Sequence, residues 1–318
     1  MNEPASRTAL LLLILVAPVA VGCGNSTALP VSDKFTPVPS AAGVITFGSV
    51  SVNPAHEYEV FRPFANYVAA QLGDFGIGRG CVVVAGSLSQ MVDEVRSGKV
   101  DVFIDSPFPA GYLWQQSGAV PILRRWKRGT DVYRSVIFAR TDSGVQSIAD
   151  LAGKMVAFGA PYSTTGYLVP KATMNSAGLN LVNYADRAAS VPSDRVGYIF
   201  SNDAENTVFW VLKKKVTAGA VNADYFEEFA GNRVGELIIL QTSESVPRNV
   251  VCVRPGLDPN VLQALETVLL KMHLTDEGQE ALRAFEETVR FDRFPGGAEQ
   301  ALENIMKLLP HVEEDLGE

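Results

Sequence analysis

Ser163, Thr164 and Thr165 stand side by side in the run PYSTTGYLVP, between the strand-like stretch KMVAFGA and a helix-like segment. Hydroxyl side chains compete with the backbone for hydrogen bonds, which makes them poor helix interior and good helix starts. A helix start also offers unpaired N–H groups and the positive end of the peptide dipole. The same residues can therefore form an oxyanion site if an anion lies against them. Gly166, next in line, lets the backbone come close to such a group without a side chain in the way. Taken alone, the motif favours the plain helix cap over the ligand site.

The elements that must position these hydroxyls alternate along the chain. VITFGSV (Val44 to Val50) reads as a strand, Val60 to Leu72 as a helix, CVVVAG as a strand, LSQMVDEVRSG as a helix ending at Gly98, and VDVFID (Val100 to Asp105) as a strand. Ser106 followed by Pro107 then marks a helix start, with Ser106 as N-cap. The middle of the chain repeats the pattern: a strand in RSVIFARTDSG, a short helix in SIADLAGK, the strand MVAFGA, the hydroxyl turn, and a helix to about Ala177. VGYIF (Val196 to Phe200) leads into a strand-to-helix junction at SNDAENTVFWVLKKK, followed by TAGAVN, ELIILQTS and NVVCV. Alternation of this kind implies parallel sheets with helices on both faces. Such sheets bind ligands beyond the carboxyl ends of their strands, where the helices begin.

Composition narrows the class. With 318 residues and 47% hydrophobic content the chain can bury a large core, most naturally as two lobes. A net charge of −8 argues against a nucleic-acid partner, and LKKKV reads as a solvated face. Thr8 to Gly22 is an apolar run behind Arg7, too short for a comfortable membrane span, and reads as an export signal. It ends AVGC, which resembles a bacterial lipobox with Cys23 as the lipidated residue. Alanine replaces the commoner leucine at the first lipobox position. The expected product starts at Cys23, continues as a flexible tether over 23–43, and lies in the cell envelope, periplasmic or at the outer surface. Cys81 and Cys252 fall in apolar strand-like runs, where a buried thiol and a bridge are both open. His56, His273 and His311 are far apart, and no metal-ligand spacing, nucleophile elbow or Walker loop is present. No enzyme, cofactor or metal site is expected.

The stretch VYRSVIFARTDSGVQSIADLAGKMVAFGAPYSTTGYLVP, together with SGKVDVFIDSPF and VTAGAVNADYFEE, resembles the PhnD-like family of phosphate, phosphite and phosphonate binding proteins of bacterial ABC importers. The likeness runs from about Phe47 to about Leu309. It implies a type II periplasmic-binding-protein fold, two α/β lobes joined by two crossing strands that close over a ligand. The first crossing is expected near Phe138 to Thr141 and the return near Thr242 to Asn249. Lobe 1 would span 44–138 and 245–318, and lobe 2 139–244.

The resemblance turns the hydroxyl motif toward ligand contact, with Ser163, Thr164 and Thr165 meeting phosphoryl-type oxygens. It adds Tyr133 as a phenolic donor, and Ser106 with Asp105 from the facing lobe. Tyr58, His56 and Asn249 are weaker candidates. Where many relatives carry glycine, serine, histidine and aspartate at a helix start, this chain has Asn202, Asp203, Ala204 and Glu205. The histidine is missing, which sets aminoalkylphosphonate specificity in doubt. Asp203 and Glu205 stand as helix-dipole carboxylates or as acceptors for a protonated oxyanion or an amine, a role that Asp224 could share. The implied partners are a phosphorus oxyanion or phosphonate ligand, an ABC permease, and the membrane through a lipid anchor, with the protein as a monomer. Two alternatives remain open: a binding protein that reports to a membrane histidine kinase, and one that takes a different solute such as a thiamine-precursor pyrimidine.

Overall fold

The computed structural model describes residues 43–316, so the expected export signal, Cys23 and the expected tether up to residue 42 lie outside the described residues. The chain opens with β1 (Val44–Val50), α1 (Pro54–Ala70), β2 (Arg79–Ala85), α2 (Leu88–Arg96), β3 (Val102–Asp105), α3 (Pro107–Ser117) and β4 (Val120–Lys127). After β5 (Val132–Tyr133) come β6 (Ser135–Arg140), β7 (Met155–Phe158), α4 (Val169–Ser176), β8 (Leu181–Asn183), β9 (Val196–Phe200), α5 (Ala204–Leu212), β10 (Ala218–Asn222), α6 (Ala223–Ala230) and β11 (Leu237–Thr242). The return passes through β12 (Val246–Pro247) into β13 (Asn249–Val253), α7 (Pro259–Lys271), α8 (Asp276–Ala284), β14 (Thr288–Asp292), α9 (Ala298–Met306) and α10 (Glu313–Leu316).

Two six-stranded sheets result. Sheet I has the order β14-β4-β13-β3-β1-β2 and sheet II the order β11-β6-β10-β7-β9-β8. In sheet I, β1 runs parallel to β2 and β3, and in sheet II, β7 runs parallel to β9 and β10. Each buried set of parallel strands reads as a near-continuous apolar run, as strands covered on both faces must. The carboxyl ends of β1, β3, β7 and β9 converge on the space between the sheets.

The chain changes sheets at a third, two-stranded ribbon, where Val246 pairs with Tyr133 and Pro247 with Val132. The first crossing therefore precedes the expected one: Phe138 to Arg140 lies inside sheet II, with Phe138 paired to both β10 and β11. The reason is the turn at the end of β4. Arg128 and Gly129 both take positive φ, and Lys127 bridges to Thr130, so the chain leaves sheet I before the apolar run of β6 begins. The return runs from the end of β11 at Thr242 through β12 to the start of β13 at Asn249.

Sheet I is covered by α1 and α8 through an aromatic cluster in which Phe64 stacks on Phe285 at 4.4 Å and Phe61 meets the same ring edge-on at 4.6 Å. Each such buried ring contributes about 1.5–3 kcal/mol of transfer free energy. A second cluster is shared: it runs from Phe103, Phe108 and Leu113 through Leu302, Leu309 and Val312 to Phe158 and Tyr167, linking the two sheets. Cys252 is a buried free thiol, so it forms no bridge with Cys81. No helix among the described residues is long and apolar enough to cross a membrane.

Candidate functional site

The hydroxyl turn follows β7 and opens with a short π-helical stretch, Thr164–Leu168, before α4. Its three hydroxyls have separate tasks. Ser163 is the N-cap, and its Oγ accepts from Gly166 N at 3.0 Å. Thr164 reaches across to the other sheet's side: its Oγ1 donates to Ser106 Oγ at 3.0 Å and accepts from Phe108 N at 2.9 Å. It thereby satisfies one of the orphan N–H groups at the start of α3. Ser106, expected to cap that helix, makes no side-chain cap bond, because Thr164 holds the position instead. Thr165 follows in the same turn, and its carbonyl accepts from Ser135 Oγ at 2.6 Å.

A cleft of about 440 Å³ lies between the sheets at the carboxyl ends of these strands. Of the residues singled out from the sequence, it brings together Ser163, Thr165, Tyr133, Ser106, Asp105 and Asp203, together with Gly166, His56 and Asn249. Thr164 does not line it, being turned toward α3. Asp203 is also the N-cap of α5, accepting from Asn206 N at 2.6 Å. Glu205 lines a second chamber of about 470 Å³ instead. The two share His56, Lys127, Asp203, Ala204, Tyr225 and Glu286. Asp224 lines neither and accepts from Arg248 Nη1 at 2.7 Å, while the cleft takes Asn222, two residues earlier.

Several cleft residues escaped the sequence reading. Glu57 enters from α1 and accepts from Ser49 Oγ at 2.7 Å. Tyr162 accepts from Val52 N at 2.6 Å, joining the loop after β1 to the loop after β7. Arg125 is buried on β4, with its guanidinium 3.7 Å from the Phe285 ring centre. Arg248 is almost fully buried in the return crossing, donates to Thr130 Oγ1 at 3.1 Å, and lies 5.4 Å above the Tyr133 ring. The one available signal was arginine within apolar strand sequence, in ILRRWK and VPRNVV. A buried arginine needs partners, and partners cluster at sites.

Burial dominates the electrostatics. It pushes the Asp105 carboxyl up to about 7, against the stabilising Ser106 N–H at 2.5 Å, with the neighbouring Glu57 adding to the rise. Burial also raises Glu57. Tyr162 is lifted to about 12 by burial, and Tyr133 is lifted well beyond the usual phenol range for the same reason. Both phenols therefore stay protonated as neutral donors. Glu286 goes the other way: burial would raise it, but Lys127 at 2.7 Å and Arg125 at 3.1 Å hold it down at about 2. The cleft thus offers hydroxyl and phenol donors, a helix start, buried arginines and a carboxyl that titrates near neutrality. That set suits an oxyanion that itself carries a proton.

The family model described as the phosphonate ABC-transporter periplasmic substrate-binding protein matches residues 47–295. A Xanthomonas citri protein, XAC2383, has been solved bound to chloride and bound to ATP. At 27% identity, these structures cover 86% and 87% of this chain and 100% of their own, with TM-scores of 0.81 and 0.79. PhnD1 from Prochlorococcus marinus in complex with methylphosphonate shares the fold at 17% identity, covering 86% of this chain and 99% of its own, with a TM-score of 0.65. The family works outside the cytoplasm as the component of an ABC transporter that presents a small molecule to its permease. With more than three quarters of its length matched, this chain belongs to the periplasmic substrate-binding proteins of phosphonate ABC transporters.

Proposed function

We propose that the cleft captures a phosphate-like oxyanion or a phosphonate and that the two sheets, as lobes 44–131 with 248–316 and 134–243, close over it before delivery to an ABC permease. The observation that carries this reading is the Ser163 to Gly166 turn, which starts a helix at the carboxyl end of β7 and faces Asp105, Ser106 and Tyr133 across the cleft. Apart from Gly166 N, which the Ser163 hydroxyl takes, the N–H groups of such a first turn are not used by the helix itself and are ready for an anion. Ser163, Thr165 and Tyr133 are the proposed neutral donors, with Arg248 as the cation and Asp105 as the partner of a ligand proton. Asp203 belongs to the rim, and Glu205 to the outer chamber. Ligand closes the protein only by binding the closed arrangement better than the open one. Lipidation at Cys23 and action as a monomer complete the reading.

The continuity of the cleft with its outer chamber supports a second reading, a phosphate ester whose organic part occupies that chamber. ATP in XAC2383 is an example of such a ligand. A thermal-shift series on protein lacking residues 1–23, confirmed by calorimetry, separates the readings. The ligands are phosphate, phosphite, methylphosphonate, 2-aminoethylphosphonate, ATP, sulfate and a thiamine-precursor pyrimidine. A ligand bound only by the folded state raises apparent stability. Stabilisation by a phosphorus oxyanion or phosphonate, lost on combining Ser163→Ala with Thr165→Ala, is the expected result. Response to ATP alone favours the ester. Response to the pyrimidine alone, or unchanged affinity in the double variant, refutes the proposed site.

A further inference from the structure

Lys171, on α4 of the sheet II side, is buried between two tyrosines, with its Nζ 3.2 Å from Tyr167 Oη and 3.3 Å from Tyr198 Oη. An ammonium in such a place needs a counter-charge. Asp315 supplies it, and Asp315 arrives on a segment anchored to the other side. That segment begins with α9, which packs on α3 so closely that a side chain at Gly111 would meet Met306 Sδ at 2.8 Å. It continues through the buried Leu309 and Val312 and past His311, whose Nδ1 is 3.3 Å from Asn175 Nδ2, to Asp315. There the carboxylate takes the Lys171 ammonium and the Tyr167 hydroxyl on one oxygen, and the Tyr198 hydroxyl on the other at 2.6 Å. Burial would raise this carboxyl, yet these three partners hold it below the ordinary range.

Tyr167 directly follows Gly166, so the group that Asp315 holds is part of the hydroxyl turn. The other end of that turn is tied to the start of α3 by Thr164. The contacts close a ring: α3 to α9, α9 to Asp315, Asp315 to Tyr167, and Thr164 back to α3. We propose that Asp315 is a positioning residue, and that the segment 309–316 is a third connection between the two sides which fixes the Ser163 to Gly166 turn in its anion-binding geometry. This rests on the reading of that turn as the ligand site.

Hydrogen exchange tests the positioning without any ligand, and methylphosphonate release tests its consequence. In Asp315→Asn, protection of the amides of residues 163–168 should fall at least tenfold while that of β1 and β3 holds. Methylphosphonate release measured by stopped flow should quicken by roughly tenfold, the scale expected for loss of a charged hydrogen bond. A second variant, Lys171→Met with Asp315→Leu, removes both charges together and should restore the melting temperature. Exchange and release should stay fast in it, because the Tyr167 hydroxyl still lacks its anchor. Unchanged protection in Asp315→Asn overturns the proposal, as does recovery of slow release together with stability in the double variant, which would mean packing alone. Should the parent protein bind none of phosphate, phosphite, methylphosphonate and 2-aminoethylphosphonate, the ligand assignment fails while the exchange measurement still decides the role of Asp315; should it bind one of the others, release is measured with that ligand.

Discussion

Asp105 shows how one residue's surroundings set its chemistry. In the unfolded chain its carboxyl ionises near pH 4, roughly the ordinary aspartate value, whereas in the cleft burial holds the proton to about pH 7. Between those values the folded protein binds more protons than the unfolded chain, so the stability contributed by Asp105 is full below about pH 4 and is lost as pH rises toward 7. Glu57, raised by the same burial, acts in the same direction. Asp105→Asn keeps an acceptor for Ser106 N and removes the ionisation. Without ligand, its melting temperature should exceed that of the parent at about pH 8 and converge with it toward about pH 5, leaving the shallower slope due to Glu57. Parallel curves across that range would show that Asp105 is ionised throughout and that its assignment as the partner of a ligand proton is wrong.

At the scale of elements, the strand and helix grammar was readable because each signal is local. Ser87 accepts from Gln90 N to cap α2, Asp258 caps α7, and Pro54, Pro107 and Pro259 stand in the first turn of their helices. What could not be read is what one element does for another. Thr164 is a hydroxyl in a turn by sequence, and only the packing of that turn against α3 makes it the cap of α3. Glu57 is likewise unremarkable in sequence and reaches the cleft only through the entry of α1, while Arg248, conspicuous as an arginine in an apolar run, reaches it only through the return crossing. The same dependence on a neighbour governs Gly80 of β2. A Cβ there would lie 2.2 Å from the carbonyl oxygen of Ala65, so α1 crosses this strand in backbone contact. Neither backbone can yield cheaply, and Gly80→Ala should cost about 2–3 kcal/mol through strain or displacement of α1. Urea unfolding followed by circular dichroism measures it. A loss below about 0.5 kcal/mol would show that α1 rides over the strand more loosely than this spacing implies.

For the whole molecule, the two sides meet at the outer chamber as well as in the cleft. Arg128, in the turn after β4 on the sheet I side, donates to Glu228 of α6 at 2.5 Å and lies 5.2 Å from the Tyr225 ring centre. It also pairs with Glu287 on its own side at 3.5 Å. The pair with Glu228 spans the mouth and breaks whenever the sides separate, so it stabilises the closed arrangement selectively rather than the fold. Its members keep 33% and 45% of their side-chain exposure, which limits its worth to about 1 kcal/mol or less. Such a contribution is small for stability but corresponds to a change of up to roughly fivefold in an equilibrium between open and closed forms. Glu228→Gln should therefore leave the unliganded melting temperature unchanged and speed release of the bound ligand by roughly two- to fivefold at low salt. The difference should vanish near 1 M salt, where exposed charges are screened within about 3 Å. Release rates measured by stopped flow at both ionic strengths decide the matter. If the variant releases ligand at the parent rate in low salt, the bridge at the mouth has no part in closure, and the retention of ligand depends on the cleft and the 309–316 segment alone.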